Sequence, residues 1–135
     1  ENHGFYLQTP ARIEKLIQSV DHENFGLTLD MGNFLCAQED PVAAVSKLLK
    51  YAQIVHAKDF HTRPKNTMPP TGWFATPGET ALRGAILGHG VIDVARQIKL
   101  LKAAKYKGDL SLEFEGMEDP LQAIRIGLDY LRTLV

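Results

Sequence analysis

The sequence predicts an α/β fold built as about half of a (β/α)8 barrel, and three observations predict it. Four amphipathic helix patterns alternate with three short strand patterns, an order that calls for parallel strands joined by crossover helices rather than by tight turns. Each strand pattern splits into an apolar face and a face carrying Gly, Thr, Ser or charged residues, whereas an open sheet buried on both sides would read as continuous apolar runs. A barrel interior with a polar mouth fits that split. The third observation is length: 135 residues is about half of the roughly 250 that a complete barrel of this kind needs. The expected organisation is a single half-barrel domain over residues 1–135.

The first helix starts at Thr9-Pro10, where threonine can cap free amides and proline fits the first helical position; Ile13, Leu16, Ile17 and Val20 follow at helical spacing. The first strand is Phe25–Asp30, with Phe25, Leu27 and Leu29 on one face and Gly26, Thr28 and Asp30 on the other. Asp40-Pro41 repeats the helix-start signal ahead of Val42, Val45, Leu48 and Leu49. The second strand pattern, Ile54 to His61, is the densest in ionisable groups. Ile54, His56 and Lys58 share a face, opposite Val55 and Ala57.

From Thr62 to Gly90 the chain is rich in Pro and Gly, carries Trp73 and Phe74, and shows no periodicity, which predicts a long lid-like loop over the strand ends. A third helix begins near Asp93, runs through Val94, Ile98, Leu101 and Ala104, and stops before Lys107-Gly108. The third strand, Leu110 to Glu115, sets Leu110, Leu112 and Phe114 against Ser111, Glu113 and Glu115. Asp119-Pro120 then opens a last helix with Leu121, Ile124, Leu128, Leu131 and Val135.

Bulk composition excludes several function classes. Fifteen basic and 16 acidic residues give a net charge of −1 without a Lys/Arg block, so the footprint of a nucleic-acid binder is missing. No apolar run approaches the roughly 20 residues that span a bilayer, and the expected location is the cytoplasm. The lone Cys36 has no disulfide partner in the chain and no evident histidine to activate it, so it reads as a buried or free thiol. Because the sequence opens on Glu-Asn-His-Gly-Phe without methionine, it is expected to be a piece of a longer protein.

Asp30, His56 and Glu113 fall at the carboxyl ends of their strands, the end at which such barrels build their sites. Carboxylates converging there would repel one another without a cation, and this ligand mixture suits Mn²⁺, Mg²⁺, Co²⁺ or Zn²⁺. Each residue also has a plainer reading. Asp30 can cap the following turn, and His56 alone can be a satisfied core histidine. Glu115 shares its face with Glu113, and Glu113 is chosen because it lies deeper. Lys58 either pairs with a neighbouring acid or contacts a substrate oxyanion. His89 lies in a Gly-His-Gly turn that lets backbone approach a ligand. Trp73 either packs beneath the loop or offers a stacking wall to a sugar ring. His22 and His61 read as surface residues.

Five runs carry a family resemblance: Glu1-Asn2-His3-Gly4, Leu29-Asp30-Met31-Gly32-Asn33-Phe34, Val55-His56-Ala57-Lys58-Asp59-Phe60, Gly88-His89-Gly90-Val91-Ile92-Asp93 and Leu112-Glu113-Phe114-Glu115-Gly116. In this order they resemble the carboxyl-terminal half of the xylose isomerase-like TIM barrels, and most closely the sugar phosphate isomerase/epimerase group. The resemblance implies a divalent metal held by Glu1, Asp30, His56 and Glu113, with Glu1 assigned on that ground alone. It further implies that Glu1 and Glu113 move a substrate proton through an enediolate.

Arg63 resembles a substrate-binding arginine of the group. Asn33 stands where several sugar epimerases carry histidine, and it can hydrogen-bond a sugar hydroxyl but cannot titrate near neutrality. The implied substrate is a small sugar or sugar phosphate, with no nucleic acid and no membrane as partner. Either a second copy or an amino-terminal half would complete the ring, since a half barrel exposes two sheet edges. Two alternatives remain open: a non-catalytic half barrel that binds metal or self-associates, and an endonuclease IV-like hydrolase. The latter's three-metal cluster needs more His and acid ligands than this sequence supplies.

Overall fold

A computed structural model of the protein describes residues 1–4 and 6–135. Among these, three parallel strands form one sheet in the order β1 (Leu27–Asp30), β2 (Ala52–Ala57), β6 (Asp109–Leu112). Helices α1 (Pro10–Val20), α2 (Pro41–Leu48), α3 (Val94–Ala103) and α4 (Pro120–Leu134) connect and cover it. This is the α/β architecture of a partial barrel. No described helix is long and apolar enough to cross a membrane.

The helix starts lie where the sequence sets them. Asp40, Asp93 and Asp119 each accept a hydrogen bond from a first-turn amide, of Ala43, Arg96 and Gln122 respectively, whereas Thr9 makes no such bond and leaves the start of α1 to Pro10. The apolar strand face, Leu27, Leu29, Val55 and Ala57, packs against Ile13, Val45, Leu48, Ile98, Leu101 and Leu131 of the helices. The stripe of α4 differs from expectation. Leu131 is buried as expected, but Leu121 is 70% exposed, and the helix also seats Ala123 and Gly127, small residues that let it approach the sheet.

Register fixes the opposite face. Thr28 pairs with Ile54 and Asp30 with His56; on the other side of β2, Ile54 pairs with Asp109 and His56 with Ser111. Side chains alternate in a strand, so these residues form rows across one surface, ending at Asp30 and His56.

Two expectations are corrected. The strand expected from Ile54 to His61 is broken at Lys58: β2 ends at Ala57, and a new strand β3 (Asp59–Pro64) leaves the parallel sheet. The stretch expected to be an aperiodic loop, 62–90, also contains β4 (Phe74–Ala75) and β5 (Thr80–Ala85). With β3 they make an antiparallel sheet in the order β3-β5-β4. Phe60 and Leu82 of this sheet form a small core with Cys36. At Gly84 a Cβ would stand 2.3 Å from the Glu115 carbonyl oxygen, so glycine there lets β5 lie against the segment that carries the site glutamates.

Candidate metal centre

Asp30 closes β1, and the chain turns sharply after it. One carboxylate oxygen, Oδ1, accepts the backbone N–H groups of Gly32 (2.8 Å) and Asn33 (2.7 Å), which aims the other oxygen inward. The turn role foreseen for this residue is therefore filled by Oδ1, and Oδ2 is left without a hydrogen bond. His56 occupies the adjacent rung of β2. Glu113 follows β6 directly, its backbone N–H bonded to the Ala57 carbonyl at 3.0 Å, which continues the parallel ladder by one step.

Glu1 is brought in by its neighbour. The fully buried Asn2 exchanges two hydrogen bonds with the Asp30 backbone, donating to its carbonyl at 2.9 Å and accepting its N–H at 2.7 Å. This mimics a strand pairing at the edge of β1 and places Glu1 beside the strand ends. Asn33 then donates to Glu1 Oε1 at 3.3 Å.

Glu1, Asp30, His56 and Glu113 thus offer one donor atom each, all within 4.8 Å of one another. An ion with ligand bonds of about 2.0–2.4 Å holds opposite donors roughly 4.0–4.8 Å apart, so the group has the size of a coordination shell. Asp30 Oδ2, His56 Nδ1 and Glu113 Oε2 are buried and make no hydrogen bond. Three converging orphaned polar atoms are costly to bury and are what a cation would satisfy. The donor set fits a divalent ion.

Charge supports the same fit. Lys58, 1% exposed, places Nζ 2.6 Å from Glu115 and 3.4 Å from Glu113. His56 Nδ1 stands 3.3 Å from Glu113 and 3.8 Å from Glu1. Burial pushes the Asp30 carboxyl up to about 8, against the pull of Lys58 and of the Asn33 and Gly32 amides, and Glu113 adds to the rise. Burial acts to raise Glu113 as well, but the Asp30 carboxyl, Lys58 and His56 outweigh it and hold Glu113 below the usual carboxylate value. Lys58 is pulled down by burial, yet Asp30, Glu115 and Glu113 together raise it and keep it charged.

The remaining site expectations separate. Asn33 lies at the centre, buried and bonded to Glu1. Lys58 is there too, engaged with two carboxylates. Arg63 and Trp73 come to each other instead: the Arg63 guanidinium lies 5.2 Å from the Trp73 ring centroid and its Nε donates to Thr67, while Arg83 covers the same ring at 5.7 Å. His89 is exposed on the turn after β5, with its N–H bonded to Ile86. Cys36 is buried, and burial pushes its thiol up to about 11, an inert state for a nucleophile.

Sequence reasoning missed Asn2 and Asp59. Asp59 is a buried acceptor for four backbone amides: Oδ1 takes those of Phe60 (2.8 Å) and Ile92 (3.0 Å), Oδ2 those of Gly88 (3.0 Å) and Gly90 (2.8 Å). It ties the start of β3 to the Gly-His-Gly turn. A Cβ on Gly90 would stand 2.2 Å from Asp59 Oδ1, which explains that glycine by close approach.

With this geometry in view, the chain matches the xylose isomerase-like TIM barrel family over residues 1–134. It belongs to that family. Among curated relatives, an inosose dehydratase of Mesomycoplasma hyopneumoniae (strain 7448) is 27% identical over 145 residues, covering 98% of this chain and 45% of the relative. The chain therefore spans a little under half of that protein. Among solved structures, a xylose isomerase-like TIM barrel protein from Mycobacterium smegmatis in complex with magnesium superposes with a TM-score of 0.75 at 23% identity, covering 96% of this chain and 40% of that one. A D-tagatose 3-epimerase-like protein gives a TM-score of 0.64 at 23% identity over 98% of this chain and 44% of that one. At these identities the structural likeness establishes the fold.

Proposed function

We propose that this chain carries the metal-binding half of an active site that moves a proton on the carbon next to a carbonyl, in a cytosolic isomerase or epimerase acting on a small sugar or sugar phosphate. The observation that carries the reading is the four-donor group at the strand ends. A divalent ion held by Glu1, Asp30, His56 and Glu113 would polarise the carbonyl and a neighbouring hydroxyl oxygen, lowering the cost of an enediolate. Glu113, kept below the usual carboxylate value, is ionised at neutral pH and ready to accept the carbon-bound proton. Glu1, oriented by Asn33, is the second carboxylate from which a proton is returned. Lys58 holds Glu113 and Glu115 in place and offsets their repulsion.

One observation favours a second fate for the same first step. The sequence relative named above is an inosose dehydratase. In a dehydration the carbon–hydrogen bond breaks in the same way, but its electron pair expels the hydroxyl on the next carbon, which leaves as water after taking up a proton. A single experiment separates the two: incubation of the intact, metal-loaded protein with ketoses and inososes in deuterium oxide, read by mass spectrometry. Isomerisation or epimerisation yields a product that carries solvent deuterium, and dehydration yields one lighter by a water. Neither label nor mass loss would overturn the proposed chemistry.

A further inference from the structure

A groove of about 540 Å³ opens at the end of the strands opposite the metal centre, with Leu49, Leu100, Ala103, Ala104 and Tyr106 among its lining residues. Tyr106 fixes its place: the hydroxyl lies 3.0 Å from the carbonyl oxygens of Gln53 and Asp109, at the starting ends of β2 and β6. Active sites in barrels of this kind use the other end, so the groove takes no part in the proposed reaction. It runs between the carboxyl ends of α2 and α3, which pack against each other. The groove is thus a seam within the helical layer.

Its rim is basic. Between Val94 and Gly108 the chain carries Arg96, Lys99, Lys102, Lys105 and Lys107 and no acidic residue, in a protein whose net charge is −1. Lys99, Lys102, Lys105 and Lys107 are exposed and make no ion pair among the described residues. On the α2 side, Lys47 and Lys50 share one acid, Glu14.

Lys105 adds a second sign. It follows α3 in the left-handed conformation, φ 55°, with its N–H bonded to the Lys102 carbonyl and that of Tyr106 to the Leu101 carbonyl, both at 3.0 Å. A helix end of this form favours glycine, which has no Cβ to crowd the backbone. A lysine there gives up stability and adds a cation to the rim.

The floor decides which acidic partner fits. Leu49 is 9% exposed and lies between two helices, out of reach of a flat bilayer or of the phosphate backbone of a duplex. A partner helix does reach such a floor, laying apolar side chains into it while its flanking carboxylates meet the lysines. We infer that the groove between α2 and α3 is a docking site for an acidic amphipathic helix of a partner protein. The inference stands apart from the proposed function.

Fluorescence anisotropy of the intact protein with a fluorescein-labelled synthetic helix of Leu and Glu, its leucines on one face, tests it. The expected result is saturable binding that weakens with added salt. The same peptide with its leucines scrambled, at equal charge, binds about tenfold more weakly, the loss of one buried leucine or more. Lys99→Glu combined with Lys102→Glu weakens the Leu/Glu helix about tenfold or more. Ala103→Phe, at an exposed position, narrows the groove without altering charge and weakens it as well. Lys105→Gly weakens binding about two- to fivefold while raising the thermal midpoint, a pair of opposite shifts that damage to the fold does not produce. Metal content stays the same in all of these variants, so failure here leaves the proposed function standing. Absence of binding, equal binding of the scrambled peptide, indifference to Ala103→Phe, or tighter binding of phosphatidylserine vesicles or duplex DNA than of the helix would overturn the inference.

Discussion

Asp30 shows how one carboxylate serves both backbone and site. Its Oδ1 is held by two amides and its Oδ2 is left to converge with His56 and Glu113. A carboxyl whose pKa is higher in the folded protein than in the unfolded chain favours folding at low pH. That contribution is complete below about 3.8 and is lost as pH rises through about 8. The metal-free protein is therefore expected to lose thermal stability between these values as Asp30 is forced to ionise in a buried place, and added Mn²⁺ or Mg²⁺ should restore it most near the upper end. Differential scanning calorimetry across that range, with and without the ion, checks this; a metal-free midpoint that rises steadily toward pH 8 would contradict it. Ion uptake should also release protons below about pH 8, measurable by a pH indicator in weakly buffered solution. At this scale Asp30, His56 and Glu113 were legible because strand alternation puts them on one face at strand ends. Asn2 was not, since its role is a pairing with a residue 28 positions away.

Among the elements, the helices were the most legible. Their starts are written locally, as Asp-Pro at Asp40 and Asp119 and as an Asp cap at Asp93, and a local signal needs no knowledge of the fold. The antiparallel sheet of β3, β4 and β5 was not legible: β4 is two residues long, β3 carries Asp59, His61 and Arg63, and Pro and Gly fill the connection. Its strands exist because they pair with one another and bury Phe60 and Leu82 under Cys36. At the break, Lys58 sets its ammonium group 2.6 Å from Glu115 and 3.4 Å from Glu113, contacts that no local signal announces. Asp59 anchors this arrangement. Asp59→Ala leaves four backbone amides without their acceptor, and at about 1 kcal/mol or more for each the protein should be destabilised by roughly 4 kcal/mol. Urea unfolding gives the loss, and hydrogen exchange should localise it to residues 88–92. An unchanged midpoint would contradict the anchoring role.

For the whole molecule, the parallel sheet is covered by helices on one side and open on the other. Among the described residues β1 and β6 each have one strand neighbour, and Ile54, on the face opposite the helices, is 39% exposed. Two copies of this sheet would supply six parallel strands, short of the eight of a closed barrel. The 135-residue chain by itself is therefore expected to self-associate without reaching a discrete dimer, because free edges pair without a closing geometry. Light scattering at increasing concentration checks this, and a monodisperse species at every concentration would contradict it. The family was legible from five short runs in order, since they are the segments that converge on the strand ends. The cavity lined by Phe60 and Phe74 was not, because these two residues meet only through the antiparallel sheet.

The central claim is that Glu1, Asp30, His56 and Glu113 bind one divalent ion. Its most direct test is the metal content of the intact protein beside that of Asp30→Asn, a substitution that keeps an oxygen for the Gly32 and Asn33 amides while removing the charge. Changes to residues that merely orient metal ligands cost about 10- to 100-fold in affinity, so losing a ligand charge should cost more than that. Elemental analysis after dialysis should find one Mn, Mg, Co or Zn per wild-type chain and none in the variant. A wild-type protein without metal, or a variant that retains it at the same stoichiometry, would contradict the account.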